Sequence, residues 1–175
     1  MAALSGCQPG RARCPAQQAR PIMTATTATG TATTATDTVR AFFAAFATHD
    51  LDQILALVDE DAHWYVPGEP ALVPWAGERR GHASLREFFE LVFTVAEPLA
   101  FDIHGMAELG DTVLIPGRFA YRYHRSGQTL DDEFILKITV RDGLVTDYRI
   151  FEDSLRLARA YLGDTAPGAL PGPAV

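Results

Sequence analysis

The sequence predicts an α+β domain in which a curved, mostly antiparallel sheet follows a group of helices. Three observations lead to this prediction. Apolar residues recur at helical spacing before Pro98, they change to strand-like spacing after it, and glycine-containing turns divide the second half into four apolar runs. Helices packed on one face of an antiparallel sheet are the usual outcome of such a pattern. Long strands wrapped around helices leave a cone with one open end, which suits a small apolar pocket.

The composition is that of an ordinary globular domain. The chain has 175 residues, of which 47% are hydrophobic and 21% charged. Its 22 acidic and 15 basic residues give a net charge of -7, so we expect no nucleic-acid partner. Charged residues interrupt every apolar stretch before it reaches bilayer length, so no membrane partner is predicted and the cytoplasm is the expected location.

Both ends of the chain differ from its middle. Residues 1–36 contain a Thr/Ala/Gly tract at 24–36 with no large apolar side chain, so we expect a disordered extension. Met23 offers an alternative start, and a chain beginning there would lack Cys7 and Cys14. The folded domain is predicted at 37–163 and a flexible Pro/Gly-rich tail at 164–175. Residues 37–163 contain no cysteine, so neither a disulfide nor a thiolate metal site is predicted there.

Three helices are predicted in the first half. The first begins at Asp37, a candidate N-cap, and presents Val39, Phe42, Phe43 and Phe46 on one face. The second begins at Asp50 and continues to Val58. After a short strand at 62–66 and a loop reaching Gly81, the third begins at Ser84, with Glu87 at the capping-box position.

The second half reads as an antiparallel meander. Strands are predicted at about 100–109, 112–124, 129–140 and 144–152, and Gly110-Asp111, Ser126-Gly127 and Asp142-Gly143 mark the turns between them. A last short helix is expected at 154–162.

Three segments resemble a known family. VRAFFAAFATHDLDQILALVDEDAHWYVPG (39–68), PWAGERRGHASLREFF (74–89) and VRDGLVTDYRIFEDS (140–154) are similar to the SnoaL-like group of the ketosteroid-isomerase and nuclear-transport-factor-type fold. The resemblance implies a cone-shaped barrel, a curved mixed sheet wrapped around three N-terminal helices. It also implies a homodimer joined through the outer face of the sheet. The fold hosts isomerases, cyclases, hydrolases, dehydratases and binding proteins, so the resemblance does not select a reaction.

The known acid/base positions of this fold are apolar here. Aligned with ketosteroid isomerases, Val66 takes the position of the base, Phe42 that of a tyrosine donor and Leu136 that of a protonated aspartate. Aligned with limonene epoxide hydrolases, Arg118 matches an arginine, but Ala120 and Ile150 replace the two carboxylates. Neither mechanism can run from these positions, because these side chains neither accept nor donate a proton.

Elimination leaves three candidate catalytic residues. Because alternate residues of a strand face the same side, Tyr148 and Glu152 share the inward face with Ile150, and Asp132 shares it with the apolar residues that follow. We predict Asp132 or Glu152 as the acid/base and Tyr148 as a hydrogen-bond donor. A solvated strand end for Asp132 and a packed core side chain for Tyr148 remain open.

The predicted substrate-binding residues are mostly apolar: Phe42, Phe46, Trp64, Val66, Trp75, Arg118, Leu136 and Ile150. Two of these predictions carry explicit alternatives. Trp64 is equally compatible with core packing. The alternative for Arg118, an ion pair across the sheet, is the more usual arrangement, and Tyr121 and Tyr123 would then face inward instead.

Motifs for cofactors are missing from the sequence. There is no HxH, HExxH, GxGxxG, GxxxxGK or GxSxG, so neither a metal nor a nucleotide cofactor is predicted. The resemblance to SnoaL-like proteins, taken with these absences, implies a cofactor-free cyclase, isomerase or lyase that acts on a small apolar, polyketide- or terpenoid-like molecule. The alternative is a ligand-binding or dimerisation module that kept the fold without the catalysis.

Overall fold

The computed structural model describes residues 33–163. Its helices and strands are, in chain order, α1 (Ala35–Thr48), α2 (Leu51–Leu55), β1 (Val58–Val66), β2 (Gly77–Arg80), α3 (Gly81–Val95), β3 (Ala96–Ile103), β4 (Ala107–Leu109), β5 (Thr112–Tyr123), β6 (Thr129–Arg141), β7 (Leu144–Phe151) and α4 (Ser154–Leu162). The predictions for residues 1–32 and for the tail 164–175 lie outside the described residues. α4 has the predicted bounds.

The first helix begins two residues before the predicted boundary at 37. Thr34 is its N-cap, because the Thr34 hydroxyl accepts a hydrogen bond from the Asp37 N–H at 3.1 Å. The Asp37 carboxylate in turn accepts from the Thr34 N–H at 3.2 Å. This reciprocal capping box makes Asp37 the third helical residue, so the prediction of Asp37 as N-cap is wrong. α2, predicted to begin at Asp50, begins at Leu51, and Asp50 is its N-cap.

Several further boundaries differ from those predicted. The strand predicted at 62–66 begins at Val58, and the strand predicted at about 100–109 is divided into β3 and β4. α2 ends at Leu55, and Val58 already belongs to β1. Residues 77–80, predicted as loop, form β2, an antiparallel partner of β1. α3 then begins directly at Gly81 without a side-chain cap, so Ser84 lies inside the helix. The reason is tertiary: hydrogen bonding to β1 extends the chain up to Arg80, which overrides the local capping signal.

The sheet is mixed and open. Its strand order is β2-β1-β7-β6-β5-β3, with β4 paired to β5, and β1 runs parallel to β7 while the other pairs are antiparallel. The sheet does not close on itself, so the predicted barrel is wrong in this respect. The domain also has a fourth helix, α4, beyond the three N-terminal helices of the predicted cone.

The helices cover one face of this sheet. α1 packs against β5, β6 and β7, while α3 packs against β1, β2 and β3. The strands accordingly alternate between buried and exposed residues, as in β6, where Phe134, Leu136 and Ile138 are buried and their neighbours face outward. No helix among residues 33–163 is long and apolar enough to cross a bilayer.

Candidate functional site

A cavity of about 120 Å³ lies between the helices and the inner face of the sheet. Six of the predicted substrate-binding residues line it: Phe42, Phe46, Trp64, Val66, Trp75 and Ile150. Tyr148 and Glu152, two of the three predicted catalytic residues, line it as well. The alternation of side chains along β1 and β7 therefore brought the expected residues to one place, although their functional roles stay predictions.

Glu152 is the acidic residue of this lining. It follows the last residue of β7, and its carboxyl group has no hydrogen-bond or ion-pair partner among residues 33–163. Burial raises the pKa of Glu152 to about 8, and the negative charge of Asp132 adds to the rise. The group is consequently mostly protonated at neutral pH, and it can give up or take back a proton within the working range of most enzymes.

Three tyrosines surround Glu152. Burial raises the pKa of Tyr121 to about 12, and it raises the pKa values of Tyr123 and Tyr148 further above the ordinary value; the charge of Glu152 contributes to all three shifts. These phenols therefore stay neutral hydrogen-bond donors. Among the described residues, none of their hydroxyl groups has a hydrogen-bond partner. The cavity thus holds one carboxyl and three hydroxyl groups that a ligand can engage.

Aromatic packing holds this part of the site in place. The rings of Tyr148 and Trp64 are stacked, with centroids 3.8 Å apart and planes 1° apart. Trp75 stacks with Tyr123 at 5.8 Å and is buried, so it is a wall of the cavity. The Nε1–H of Trp64 is buried without a partner among residues 33–163. An unpaired buried donor is costly in a protein interior and calls for a structural or functional explanation.

Asp132 does not line the cavity. Its carboxylate accepts a hydrogen bond from Arg156 Nη1 at 2.6 Å and another from the Asp153 N–H at 3.2 Å. Its inward direction on β6 was predicted correctly, and its role as the acid/base stays a prediction, which a position outside the cavity wall does not favour. The reason is a partner 24 residues further along the chain, which strand periodicity cannot reveal.

Arg118 and Leu136 also lie outside the cavity. Arg118 faces the outer side of the sheet, where its Nε donates to Asp131 at 2.7 Å and its guanidinium lies 3.6 Å from Asp102. Leu136 is buried in the core but does not reach the cavity wall. The ion-pair alternative for Arg118 is therefore the correct one.

Tyr121 and Tyr123 are site residues that the preferred sequence interpretation left out. They follow Phe119 on the inward face of β5, whereas Arg118 and Arg122 take the outward positions. A sequence signal existed: facing two arginines into an apolar interior is far more costly than facing two tyrosines into it. This difference in burial cost, rather than a motif, is the signal by which Tyr121 and Tyr123 could have been assigned to the inward face of β5.

The histidine of β1 does not line the cavity. His63 faces the outer side of the sheet, with its Nδ1 2.8 Å from an Asp147 oxygen. No group of three metal-ligating side chains occurs in the part of the chain that the structure describes.

Helices on one face of an open mixed sheet, with an aromatic cavity between the two layers, define the class of α+β domains to which this chain belongs. The family of SnoaL-like domains matches residues 39–148, and the chain belongs to this family. A search of curated proteins finds no match.

Solved structures agree with this assignment. An NTF2-like protein from Burkholderia xenovorans LB400 is 33% identical, with a TM-score of 0.67, and the match covers 73% of this chain and 95% of that one. TerC, co-crystallised with polyporic acid, is 26% identical with a TM-score of 0.66, covering 74% and 98% of the two chains. An NTF2-like protein from Burkholderia thailandensis E264 is 25% identical with a TM-score of 0.63, covering 73% and 96%.

Proposed function

We propose that this SnoaL-like protein is a cofactor-free enzyme that uses acid/base catalysis on a small, largely apolar molecule carrying an oxygen atom. The reaction class is a cyclisation, an isomerisation or a related elimination. One observation carries the proposal: the unpaired Glu152 carboxyl lies in an aromatic cavity beside three tyrosine hydroxyls without partners among residues 33–163. Convergent polar groups in an apolar pocket, with a shifted pKa among them, are typical of an active site.

Glu152 can serve as both acid and base in one turnover. With a pKa of about 8 it is mostly protonated at neutral pH, and it donates its proton to a carbonyl oxygen of the substrate. Tyrosine hydroxyls donate hydrogen bonds to the same oxygen. The polarised carbonyl weakens the neighbouring C–H bond, and the ionised Glu152 then accepts the proton from that carbon. The result is an enol, and the carboxyl group is restored.

The size of the cavity limits the reacting part of the substrate. An apolar protein cavity of roughly 150 Å³ holds one benzene molecule. The cavity of about 120 Å³ therefore suits a single ring or a fragment of that size. Similarity to TerC, co-crystallised with polyporic acid, supports that compound as a first binding probe.

The proposal is tested by proton exchange. We expect the protein to accelerate the exchange of α-protons of 2-cyclohexenone in D₂O, followed by NMR. Glu152→Gln should slow this exchange by about 10²- to 10⁴-fold, because a positioned acid or base typically contributes that much. Tyr148→Phe should slow it less. Arg118→Gln is the matched control, since Arg118 lies on the outer face of the sheet.

A second function has its own support. Phe42 and Val66 are apolar where the family's isomerases carry a donor and a base, which favours a module that binds without catalysis. Tryptophan fluorescence with polyporic acid and 2-cyclohexenone measures binding separately. Binding by a protein that accelerates no exchange would reject the enzyme and support the binding module. Exchange that is unchanged in Glu152→Gln would reject the assigned role of Glu152.

A further inference from the structure

Asp132 and Arg156 form an ion pair next to the site but outside its wall. The Asp132 side chain is only 10% exposed, whereas its partner is 52% exposed. Both Asp132 oxygens are engaged: one by Arg156 Nη1 at 2.6 Å, the other by the Asp153 N–H at 3.2 Å. Arg156 also donates to the Asp131 carbonyl oxygen at 2.9 Å. The pair therefore joins β6 to the start of α4, and Glu152 lies in the short connection between β7 and α4.

The titratable and charged groups near Glu152 come from four elements. β6 contributes Asp132, β5 contributes Tyr121 and Tyr123, β7 contributes Tyr148, and α4 contributes Arg156 together with its N-cap Asp153. The tyrosines are neutral, and Asp131 is engaged by Arg118 on the other face of the sheet. Asp132 is thus the carboxylate whose charge acts on Glu152. Arg156, its ion-pair partner, partly neutralises the charge of Asp132.

We propose that the Asp132–Arg156 ion pair is a positioning element for Glu152. The pair controls the charge state of Glu152 and so selects the pH range in which the site works. The inference rests on the proposed function, because it takes Glu152 as the working group. Neither member of the pair needs to touch the substrate. A negative charge held beside a buried carboxyl opposes its ionisation, and a cation that screens this charge reduces the opposition.

A purely structural role predicts a different result from this electrostatic role. If the pair only anchored α4 to β6, removing either member would lower the melting temperature and leave the titration of Glu152 unchanged. If the pair acts on Glu152, the two substitutions move the titration midpoint in opposite directions, because one removes a negative charge and the other unmasks it.

The experiment is a direct titration of Glu152 in the full chain. Glutamate carboxyl carbons are labelled with ¹³C and followed by NMR between pH 5 and 10, and Glu152→Gln identifies the Glu152 signal. We expect Asp132→Asn to lower the midpoint by about half a pH unit or more. Arg156→Gln should raise it. Asp131→Asn is the matched control, because it makes the same change one residue away on the outer face. In this variant the titration midpoint of Glu152 should stay within about 0.2 pH unit of the wild-type midpoint.

The outcomes separate this inference from the proposed function. Opposite shifts support the inference even when no compound is turned over, and a missing turnover then counts against the proposed function alone. Unchanged midpoints in folded Asp132→Asn and Arg156→Gln overturn the inference, whatever the activity. If Asp132→Asn does not fold, Arg156→Gln decides, because its side chain is half exposed: a midpoint that is raised supports the inference, and one that is unmoved or lowered overturns it.

Discussion

Glu152 connects the proton balance of the site to the stability of the fold. Its folded-state pKa is about 8, well above the ordinary value of 4.5, because the carboxyl is buried beside Asp132. Between these two pH values the folded state holds a proton that the unfolded state has released. Stability must therefore fall as the pH rises from about 4.5 to about 8, with a slope of at most about 1.4 kcal/mol per pH unit from this group.

This reasoning predicts the behaviour of Glu152→Gln. Glutamine carries no ionisable proton, so the variant should gain stability relative to the wild type as the pH is raised from 5 to 8. Thermal unfolding across this range measures the difference. Glu133→Gln, which changes an exposed carboxylate on β6, is the matched control. A difference between wild type and Glu152→Gln that stays constant with pH would contradict the raised pKa.

Within the elements, β5 contains a glycine whose neighbours leave no room for a side chain. A Cβ atom added at Gly117 would collide with the ring of Phe134 and with the carbonyl oxygen of Asp102. The ring lies against the strand because Phe134 is the cross-strand partner of Gly117. The small residue thus lets the aromatic core approach the backbone of the sheet.

Gly117→Ala should therefore destabilise the domain by about 1 to 3 kcal/mol, the usual cost of overpacking a core. Chemical denaturation with urea measures the loss. Gly105→Ala offers a matched control, since an added Cβ there meets nothing within 4 Å. Equal stabilities of the two alanine variants would show that the sheet can relax around the added methyl group.

At the scale of the whole molecule, the outer face of the sheet carries an apolar patch. Ile135 and Phe151 are cross-strand partners there, and each is 47% exposed. The guanidinium of Arg149 lies over the Phe151 ring at 5.0 Å and over the Tyr65 ring at 4.6 Å. Large exposed aromatic and aliphatic side chains beside an arginine are typical of the centre of a protein interface.

We predict a homodimer that forms through this patch. Light scattering at tens of micromolar protein should give twice the monomer mass, and Ile135→Asp should give the monomer, because it introduces a charge into an apolar contact. Leu109→Asp tests whether any exposed apolar residue has this effect, since Leu109 lies on β4 and is 64% exposed. A monomeric wild type would remove the prediction.

Local sequence signals were sufficient for much of the fold. α4 has the predicted bounds, and the turns at Gly110, Gly127 and Gly143 separate the strands where expected. Strand periodicity placed Trp64 with Val66 and Glu152 with Ile150, and the alignment with the resembling family assigned these faces to the inside. These features depend on residues close together in the chain, which is why the sequence determines them by itself.

Tertiary structure decided the features that depend on distant partners. β1 pairs in parallel with β7, which lies about 80 residues further along the chain, and the sheet stays open at its edges. Periodicity carries no information about pairs so far apart in the chain. Arg156 pairs with Asp132, which lies beside the cavity and not in its wall, and Asp131 pairs with Arg118 on the outer face of the sheet. The sequence by itself determined which groups can do chemistry. Only the folded structure decided which of them are paired and which, like Glu152, have no partner among residues 33–163, because ion pairing depends on distance in space.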